Sequence, residues 1–534
     1  MKKKYISFEE TKRFSKLITS YLNQTEEMKP FYGFFPLIDN FEKQIELKKE
    51  TYSVLNLQVL VASLEEQYHS VAHSTAVEKN LSLLKKENTF TITTGHQLSL
   101  MTGPLYFLYK IISTINLCKQ LKKAYPKSNF IPVYWMASED HDFEEISSFR
   151  FENKNFVWSR EPAGAVGELP LEDLMPTLDA FEQQLGSSAN AEFLKDLIGR
   201  TYRASESLSE ATFRMVNFLF GEYGLVVIEP QTNKLKTLFK PVIREELTKN
   251  SSYKKVTSQI EQLIKEFDPN YSPQVNPREI NLFYLTPKGR YRIERIQNRY
   301  HLNGTEQSFN EAEFLKLVDS QPERFSPNVI LRPLYQECIL PNLCYIGGGG
   351  ELAYWFQLNS TFKHFNVPFP VLLLRNSALL YTKKLSKKIA NFDLQVSDLF
   401  MKRDALINKK IRQISKIDLD LTPLKNQLKK QFTRLHNLVA QTDGSFKGAV
   451  AAQEAKQLKG IEYLEKRLLK AQKRVLKSDV ERLAVIHELL FPNDSLQERA
   501  LNFTSFYLEL GVDLIPNLVG ALDPLNPDFV LLEY

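Results

Sequence analysis

The run Phe90-Thr91-Ile92-Thr93-Thr94-Gly95-His96-Gln97, continued through Thr102-Gly103-Pro104 and answered by Phe130-Ile131-Pro132-Val133-Tyr134-Trp135-Met136-Ala137, decides the fold of this chain. Thr89 to Thr94 is β-rich and breaks at Gly95. Leu105, Leu108, Ile111, Ile112, Ile115 and Leu121 then recur at helical steps, and Pro104 stands where a first-turn proline is tolerated. The second apolar run ends in Ser138-Glu139-Asp140-His141-Asp142-Phe143-Glu144-Glu145. Strand, helix and strand in this span predict a right-handed βαβ unit with parallel neighbours. Both strands then finish on one edge of the sheet. Gly95-His96-Gln97 and Ser138 to Asp142 are therefore expected to face the crevice where open α/β sheets bind ligands.

Further buried strands extend the pattern: Tyr223 to Pro230, Asn328-Val329-Ile330-Leu331 before Arg332-Pro333, Cys344-Tyr345-Ile346, and Phe369 to Leu374. Two stretches interrupt it. One is the irregular region from Arg150 to Gly167, with Trp158, Pro162, Gly164 and Gly167. The other is a hairpin in which Thr286-Pro287-Lys288-Gly289 separates Leu282-Phe283-Tyr284-Leu285 from Tyr291-Arg292-Ile293. The expected organisation is a helical segment over 1–88, a first βαβ half over 89–150, and an insertion over 151–220. A second half of the core occupies 221–245 and 326–380, with the hairpin insertion over 246–325. An antiparallel coiled coil follows over 381–490, and a C-terminal segment over 491–534 docks on the core.

The coiled coil is read from Leu421, Leu424, Leu428, Leu435 and Leu438, and from Ile461, Leu464, Leu468, Ala471 and Val475, which fall on heptad seams either side of the turn Gln441-Thr442-Asp443-Gly444-Ser445. A longer arm of about 40 residues would reach roughly 60 Å. Seams longer than one hairpin can bury need a partner, so residues 400–485 are expected to join a homodimer.

Composition sets bounds on function. A chain of 534 residues exceeds one hydrophobic core, and 43% hydrophobic with 25% charged residues is ordinary for a soluble globular protein. Met1-Lys2-Lys3-Lys4 is followed by Glu9, Glu10, Lys12 and Arg13 where a secretion signal would be apolar. No apolar run approaches the roughly 18 to 20 residues of a membrane span, so no membrane partner is expected. Cys118, Cys338 and Cys344 are too few and too irregularly spaced for a disulfide framework or a cysteine zinc site, which fits a reducing cytoplasm. The net charge of +6 is mild for this length, and no nucleic-acid partner is expected.

A lone histidine at a strand end is more often a satisfied turn residue than a catalyst. The juxtaposition of His96 and Gln97 with Asp140, His141 and Asp142 at the neighbouring strand end is what argues for ligand binding, acid/base work or a divalent ion. Nothing resembles His-Glu-x-x-His or a cysteine cluster, so no tightly bound metal is expected. The amides near Gly103 could hold a phosphate or carboxylate. Gly347 to Gly350 forms a second loop before a helix carrying Glu351, Tyr354 and Trp355. It satisfies the loose G-x-G-x-x-A pattern, but the next strand ends at Arg375, where an NAD site wants an acid. Close approach of a ligand to the backbone is the better reading of four glycines.

At these residues the chain resembles the bacillithiol biosynthesis cysteine-adding enzymes, the BshC family. The resemblance rests on Thr94-Gly95-His96-Gln97 with Thr102-Gly103-Pro104-Leu105-Tyr106, on Ala137-Ser138-Glu139-Asp140-His141-Asp142-Phe143, and on Phe325-Ser326-Pro327-Asn328-Val329-Ile330-Leu331-Arg332-Pro333. It continues through Gly349-Gly350-Glu351-Leu352-Ala353-Tyr354-Trp355 and Leu496-Gln497-Glu498-Arg499. It implies an α/β fold with a Rossmann-like parallel-sheet core related to class I synthetases and nucleotidylyltransferases, connecting-peptide insertions and a dimerising C-terminal coiled-coil domain. It also implies a ligase that joins L-cysteine to the amino group of glucosaminyl-malate.

Amide formation needs an activated carboxylate, and analogy with the fold relatives implies ATP, with Mg2+ beside it. The expected catalytic group is His96, Gln97, Asp140, His141 and Asp142. The expected substrate-binding group is Gly95, Gly103, Tyr106, Ser138, Gly347, Gly349, Glu351, Tyr354, Trp355 and Arg375, with Arg375 offering a bidentate contact to the malate. Two rivals remain at this level: a metal-dependent hydrolase using His96, His141 and Asp142, and a non-catalytic nucleotide-binding scaffold built on the coiled coil.

Overall fold

The computed structural model describes residues 1–152, 154–161, 164–439, 441–442 and 444–534, so the expected turn residues Pro162 and Asp443 lie outside the described residues. The chain divides into two compact units, Met1–Leu379 with Glu498–Leu532, and Leu380–Gln497 with Glu533–Tyr534.

The first unit is built on a parallel sheet of β1 (Thr89–His96), β2 (Asn129–Met136), β3 (Val226–Ile228), β4 (Asn342–Gly347) and β5 (Val371–Leu374). Their order is β3-β2-β1-β4-β5, and every adjacent pair is parallel. Helix α1 (Tyr106–Ala124) connects β1 to β2. Phe90, Ile92, Phe130, Cys344, Ile346, Val371 and Leu373 of the sheet pack with Leu117, Cys118 and Leu121 of α1 and with Phe41 and Ile45. Strands covered in this way are buried on both faces; β2 and β5 are apolar runs for that reason, while β1 places Thr91, Thr93 and Thr94 in the interior with hydrogen-bond partners. The strand order reverses between β1 and β4. That topological switch point leaves a crevice outside their carboxyl ends, Gly95-His96 and Gly347.

The hairpin of the second insertion forms as expected, with Thr286 opposite Gly289. It belongs to an antiparallel sheet in the order Ser308–Phe309, Arg299–Leu302, Gly289–Ile296, Leu282–Thr286, Phe325–Pro327. Two expectations are corrected. Asn328 to Leu331 is not a strand, because Asn328 Oδ1 accepts the backbone N–H groups of Ile330 at 2.9 Å and Leu331 at 3.4 Å. That side-chain turn feeds helix α2 (Arg332–Ile339), with Pro333 in its first turn. The 1–88 segment is not wholly helical either, since Lys2–Ser7 is a strand beside the C-terminal strand Asp528–Glu533, a partner that local periodicity does not reveal.

The second unit is helical. After the short helix α3 (Gly349–Trp355) of the first unit come α4 (Arg403–Ile414), α5 (Thr422–Val439), α6 (Ser445–Val475) and α7 (Lys477–Leu490). The pairs Lys425–Glu465 at 2.7 Å and His436–Glu454 at 2.9 Å descend in register, so α5 and α6 run antiparallel. The longer arm is shorter than expected. Helix α6 has 31 residues, about 46 Å, and the backbone leaves helical geometry at Leu476 (φ −97°, ψ 33°) before α7 begins. Ile407, Ile411, Leu419 and Leu483 form its core with Leu468, Leu469, Leu476 and Val480. Among the described residues no helix is long and apolar enough to cross a membrane.

Candidate active site

At the switch point lies a cavity of about 520 Å³. Gly95, His96 and Gln97 line it from the end of β1, and Glu139, Asp140 and His141 from the segment after β2. The hairpin contributes Phe283, Arg290 and Arg292, α2 contributes Arg332 and Tyr335, and α3 contributes Glu351 and Tyr354.

Asp140 is the hub of one wall. Its carboxylate accepts from Gln97 Nε2 at 2.6 Å, from Arg290 Nη1 at 3.0 Å and from the His141 backbone N–H at 2.7 Å. Burial alone would favour the neutral acid. Hydrogen bonding to His141, the charge of Arg290 and the Gln97 amide outweigh it and hold the carboxyl well below its ordinary range. Such an anion is too weak a base for proton abstraction near neutrality, so its work is to orient its neighbours. Arg290 is itself fixed, donating to Ser326 Oγ at 3.2 Å and the Pro327 carbonyl at 3.0 Å while lying 4.2 Å from the centre of the Phe283 ring. His141 is half-exposed to the cavity. Its Nδ1 is 3.3 Å from Asp140 Oδ1 and 3.0 Å from Arg290 Nη1, so it can donate to one or accept from the other. A ring poised between two tautomers is equipped to pass a proton through Nε2.

His96 is different in kind. Its ring packs against Tyr106 and Phe107, with centroids at 5.4 and 5.2 Å, and its Nε2 is buried without a hydrogen-bond partner among the described residues. Burial and the charge of Lys110 lower its pKa to about 3, so the imidazole is neutral throughout the physiological range. The sign of the linkage follows. Below the unfolded value near 6.5 the unfolded chain takes up a proton that the folded chain refuses, so stability falls on acidification from about pH 6.5 towards 3 at up to about 1.4 kcal/mol per pH unit. His96→Gln, which removes the titration, is expected to lose less stability than the parent between pH 7 and 5.5 in denaturant melts. Parallel pH profiles for the two would contradict this.

The floor of the crevice is an ion pair. Lys110, buried in the second turn of α1, donates to both Glu351 oxygens at 2.9 and 2.8 Å and also to the Gly95 carbonyl. Glu351 further accepts from Tyr345 Oη at 2.6 Å and from the Gly348 N–H at 2.8 Å. Despite burial, Lys110 and the Gly348 N–H bring its pKa down to about 2.

This arrangement corrects the reading of the glycine loop. Its first amide is capped by the chain's own carboxylate, none of Gly347 to Gly350 has a positive φ, and α3 has only seven residues. Gly347 is required by packing, since a Cβ there would stand 2.9 Å from Leu352 Cδ1. Arg375 is not free for a substrate carboxylate either. It donates to the buried Glu498 at 2.8 Å and does not line the cavity.

Of the residues singled out in the sequence, Gly95, His96, Gln97, Tyr106, Asp140, His141, Glu351 and Tyr354 meet around the cavity. The others do not line it. Asp142 caps the next helical turn through Glu145 N at 3.3 Å, Ser138 donates to Glu229, and Gly103 turns the chain at φ +67°. Trp355 is buried 4.7 Å from the Tyr345 ring, and Gly349 meets Ile18. Among the described residues no group of three His, Cys, Asp or Glu side chains is placed to share an ion, which leaves the hydrolase alternative without its ligand set. Residues not singled out for the site include Glu139, Arg278, Arg290, Arg292 and Arg332 on the cavity, and the buried Lys110 and Lys236 that pair with its carboxylates Glu351 and Glu139. For Lys110 a signal existed: a lysine enclosed by Leu105, Leu108, Ile111, Ile112 and Ile115 on a helix.

A switch-point crevice on this sheet, walled by an inserted hairpin and accompanied by a separate helical-hairpin unit, defines a Rossmann-like enzyme with a coiled-coil domain. The profile of the N-terminal Rossmann-like domain of bacillithiol biosynthesis BshC matches residues 1–376, and that of its C-terminal coiled-coil domain matches residues 378–534. The chain belongs to the BshC family, and it is accordingly a ligase. A relative from Flavobacterium johnsoniae, provisionally named cysteine ligase BshC, is 52% identical over 99% of both chains. One from Cytophaga hutchinsonii with the same name is 37% identical over 97% of this chain and 96% of its own. A Campylobacter jejuni structure assigned provisionally as an arginyl-tRNA synthetase covers 85% of this chain and 100% of its own at 11% identity, with a TM-score of 0.20 that carries no weight for the fold.

Proposed function

We propose that this protein joins the carboxylate of L-cysteine to the amino group of glucosaminyl-malate, forming the amide of bacillithiol in the cytoplasm. The observation that carries the reading is the cavity wall on which His141, a proton carrier, is held by Asp140 and Arg290 in a crevice rimmed by further arginines. The end-to-end match to relatives named as cysteine ligases supports it. A free carboxylate is a poor electrophile, and ATP, when bound, supplies the leaving group that activates it. Arg278 and Arg292, both on the cavity wall, have the charge and the donors to hold phosphate oxygens, so the residues present fit a nucleoside triphosphate. His141 takes the proton from the attacking amine, Asp140 keeps the ring in place, and His96 stays neutral. Incubation of the purified protein with cysteine, glucosaminyl-malate and Mg2+-ATP tests this by mass spectrometry. Bacillithiol with matching nucleotide cleavage is expected; ATP-independent product or none would sink the corresponding part.

We also infer a homodimer through residues 400–485. Leu424, Leu438, Leu464 and Val475 on the heptad seams are 50%, 50%, 59% and 75% exposed in the single chain, too much apolar surface for a hairpin that stands alone. Light scattering should give twice the chain mass. Leu464→Glu with Val475→Glu should give the monomer, and a dimer untouched by these changes would place the interface elsewhere.

A further inference from the structure

The buried cations of the first unit share a rule that one residue at the cavity breaks. Lys48, Lys110, Lys236, Arg290 and Arg375 each have a carboxylate within 3.4 Å. Arg332, which lines the crevice beside Gly95, has none that close among the described residues, and the charge of Glu351 acts on it only from further off. Its guanidinium donates to Gln336 Oε1 at 3.2 Å and Tyr354 Oη at 3.0 Å, with the Tyr345 ring 5.7 Å away. A guanidinium presents five N–H donors in a fork matched to a carboxylate, and only two of them are engaged here.

The opposite deficit occurs on the same cavity. Glu139, 90% buried at its side chain, gives Oε2 to Lys236 at 2.7 Å, while Oε1 has no hydrogen-bond partner among the described residues. Arg332 and Tyr335 are three residues apart on α2 and so share a face. The Lys236 ammonium that pairs with Glu139 lies 4.7 Å from the centre of the Tyr335 ring, and Glu139, Arg332 and Tyr335 line the same cavity.

We propose that Arg332 and Glu139, side chains of opposite charge lining one cavity with hydrogen-bonding capacity unused, are the receptor for the α-carboxylate and the α-ammonium of the amino acid substrate. The assignment rests on the ligase reading and deepens it. Arg278 and Arg292, which also line the cavity, are left for phosphate oxygens.

Calorimetric titration of the full chain, with a non-hydrolysable ATP analogue present, tests the assignment. The probes are L-cysteine, 3-mercaptopropionate, which lacks the amine, and cysteamine, which lacks the carboxylate. Each analogue is expected to bind the unmodified protein at least about tenfold more weakly than cysteine, the scale of one lost charge-assisted hydrogen bond. Glu139→Gln should weaken cysteine and leave 3-mercaptopropionate unchanged, and Arg332→Met should weaken cysteine and leave cysteamine unchanged. Should either variant fail to fold, the three titrations of the unmodified protein decide alone. Equal affinity for cysteine and both analogues overturns the proposal, as does a loss in Arg332→Met that falls on the ATP analogue or on glucosaminyl-malate instead. L-Serine and L-alanine separate this from the function itself. If they bind with the same dependence on Glu139 and Arg332 while cysteine does not, the receptor stands and the choice of cysteine falls. If no amino acid binds, the receptor falls, and the ligation assay judges the reaction.

Discussion

His141→Ala is expected to lower ligation by about 10²- to 10⁴-fold, the range of a lost general acid–base group, with almost no change in stability. The two halves of that expectation have separate causes. The ring is half-exposed and its removal leaves no cavity in a packed core, so the stability effect should stay within about 0.5 kcal/mol. Its Nδ1 is nonetheless tied to Asp140 and Arg290, and the ring is held facing the cavity with Nε2 available to exchange a proton. Asp140→Asn should lose a similar factor in rate, but not cleanly. The carboxylate is the counter-charge of buried Arg290 and the acceptor for Gln97, so about 1.5–3 kcal/mol of stability should go with it. Measuring kcat beside denaturant melts for both variants checks the pair. If His141→Ala costs as much stability as Asp140→Asn, the imidazole is part of the framework and the base must be sought elsewhere, with Glu145 next in line: it lines the cavity, and burial and the nearby Asp140 push its carboxyl upward.

What could be read in the sequence, and what could not, divides by the range of the forces involved. Strands β1 and β2, helix α1 and the hairpin at 282–296 announce themselves because burial imposes a local period or a local turn chemistry. The two strand ends Gly95-His96-Gln97 and Asp140-His141 could be brought together because parallel neighbours finish on one edge. Charge pairing leaves no such trace. Arg290 meets Asp140 from an inserted hairpin, and Lys110 meets Glu351 across the sheet; neither partnership has a spacing to read. The glycine loop misled for a related reason. Glycines report that space is short without saying what fills it, and here Leu352, Glu351 and Tyr345 crowd Gly347. Asn328 to Leu331 misled because an apolar run looks the same in a strand and in a turn, until the Asn328 side chain takes the next amides.

Arg375 shows how far a long-range partner changes a residue's meaning, and it supports the largest stability effect expected here. Glu498→Ala should cost about 3–5 kcal/mol, the usual consequence of removing one member of a buried pair. Arg375 and Glu498 are 4% and 0% exposed at their side chains, so water cannot take over from the missing carboxylate. The loss is compounded because Glu498 also accepts from Ser377 Oγ and from the Ala378 N–H, both at 3.1 Å, and these donors would be buried without an acceptor. Arg375 would keep only the Asn376 carbonyl and Ser377 Oγ. Since residues 498–532 return to the first unit, the pair fastens a late segment to the end of β5, and its failure should appear as early unfolding of that unit in denaturant melts. Arg375→Lys keeps the charge and loses the fork. On a structural role it lowers stability and affects cysteine and glucosaminyl-malate alike; a selective loss of glucosaminyl-malate affinity at unchanged stability would return Arg375 to the binding site.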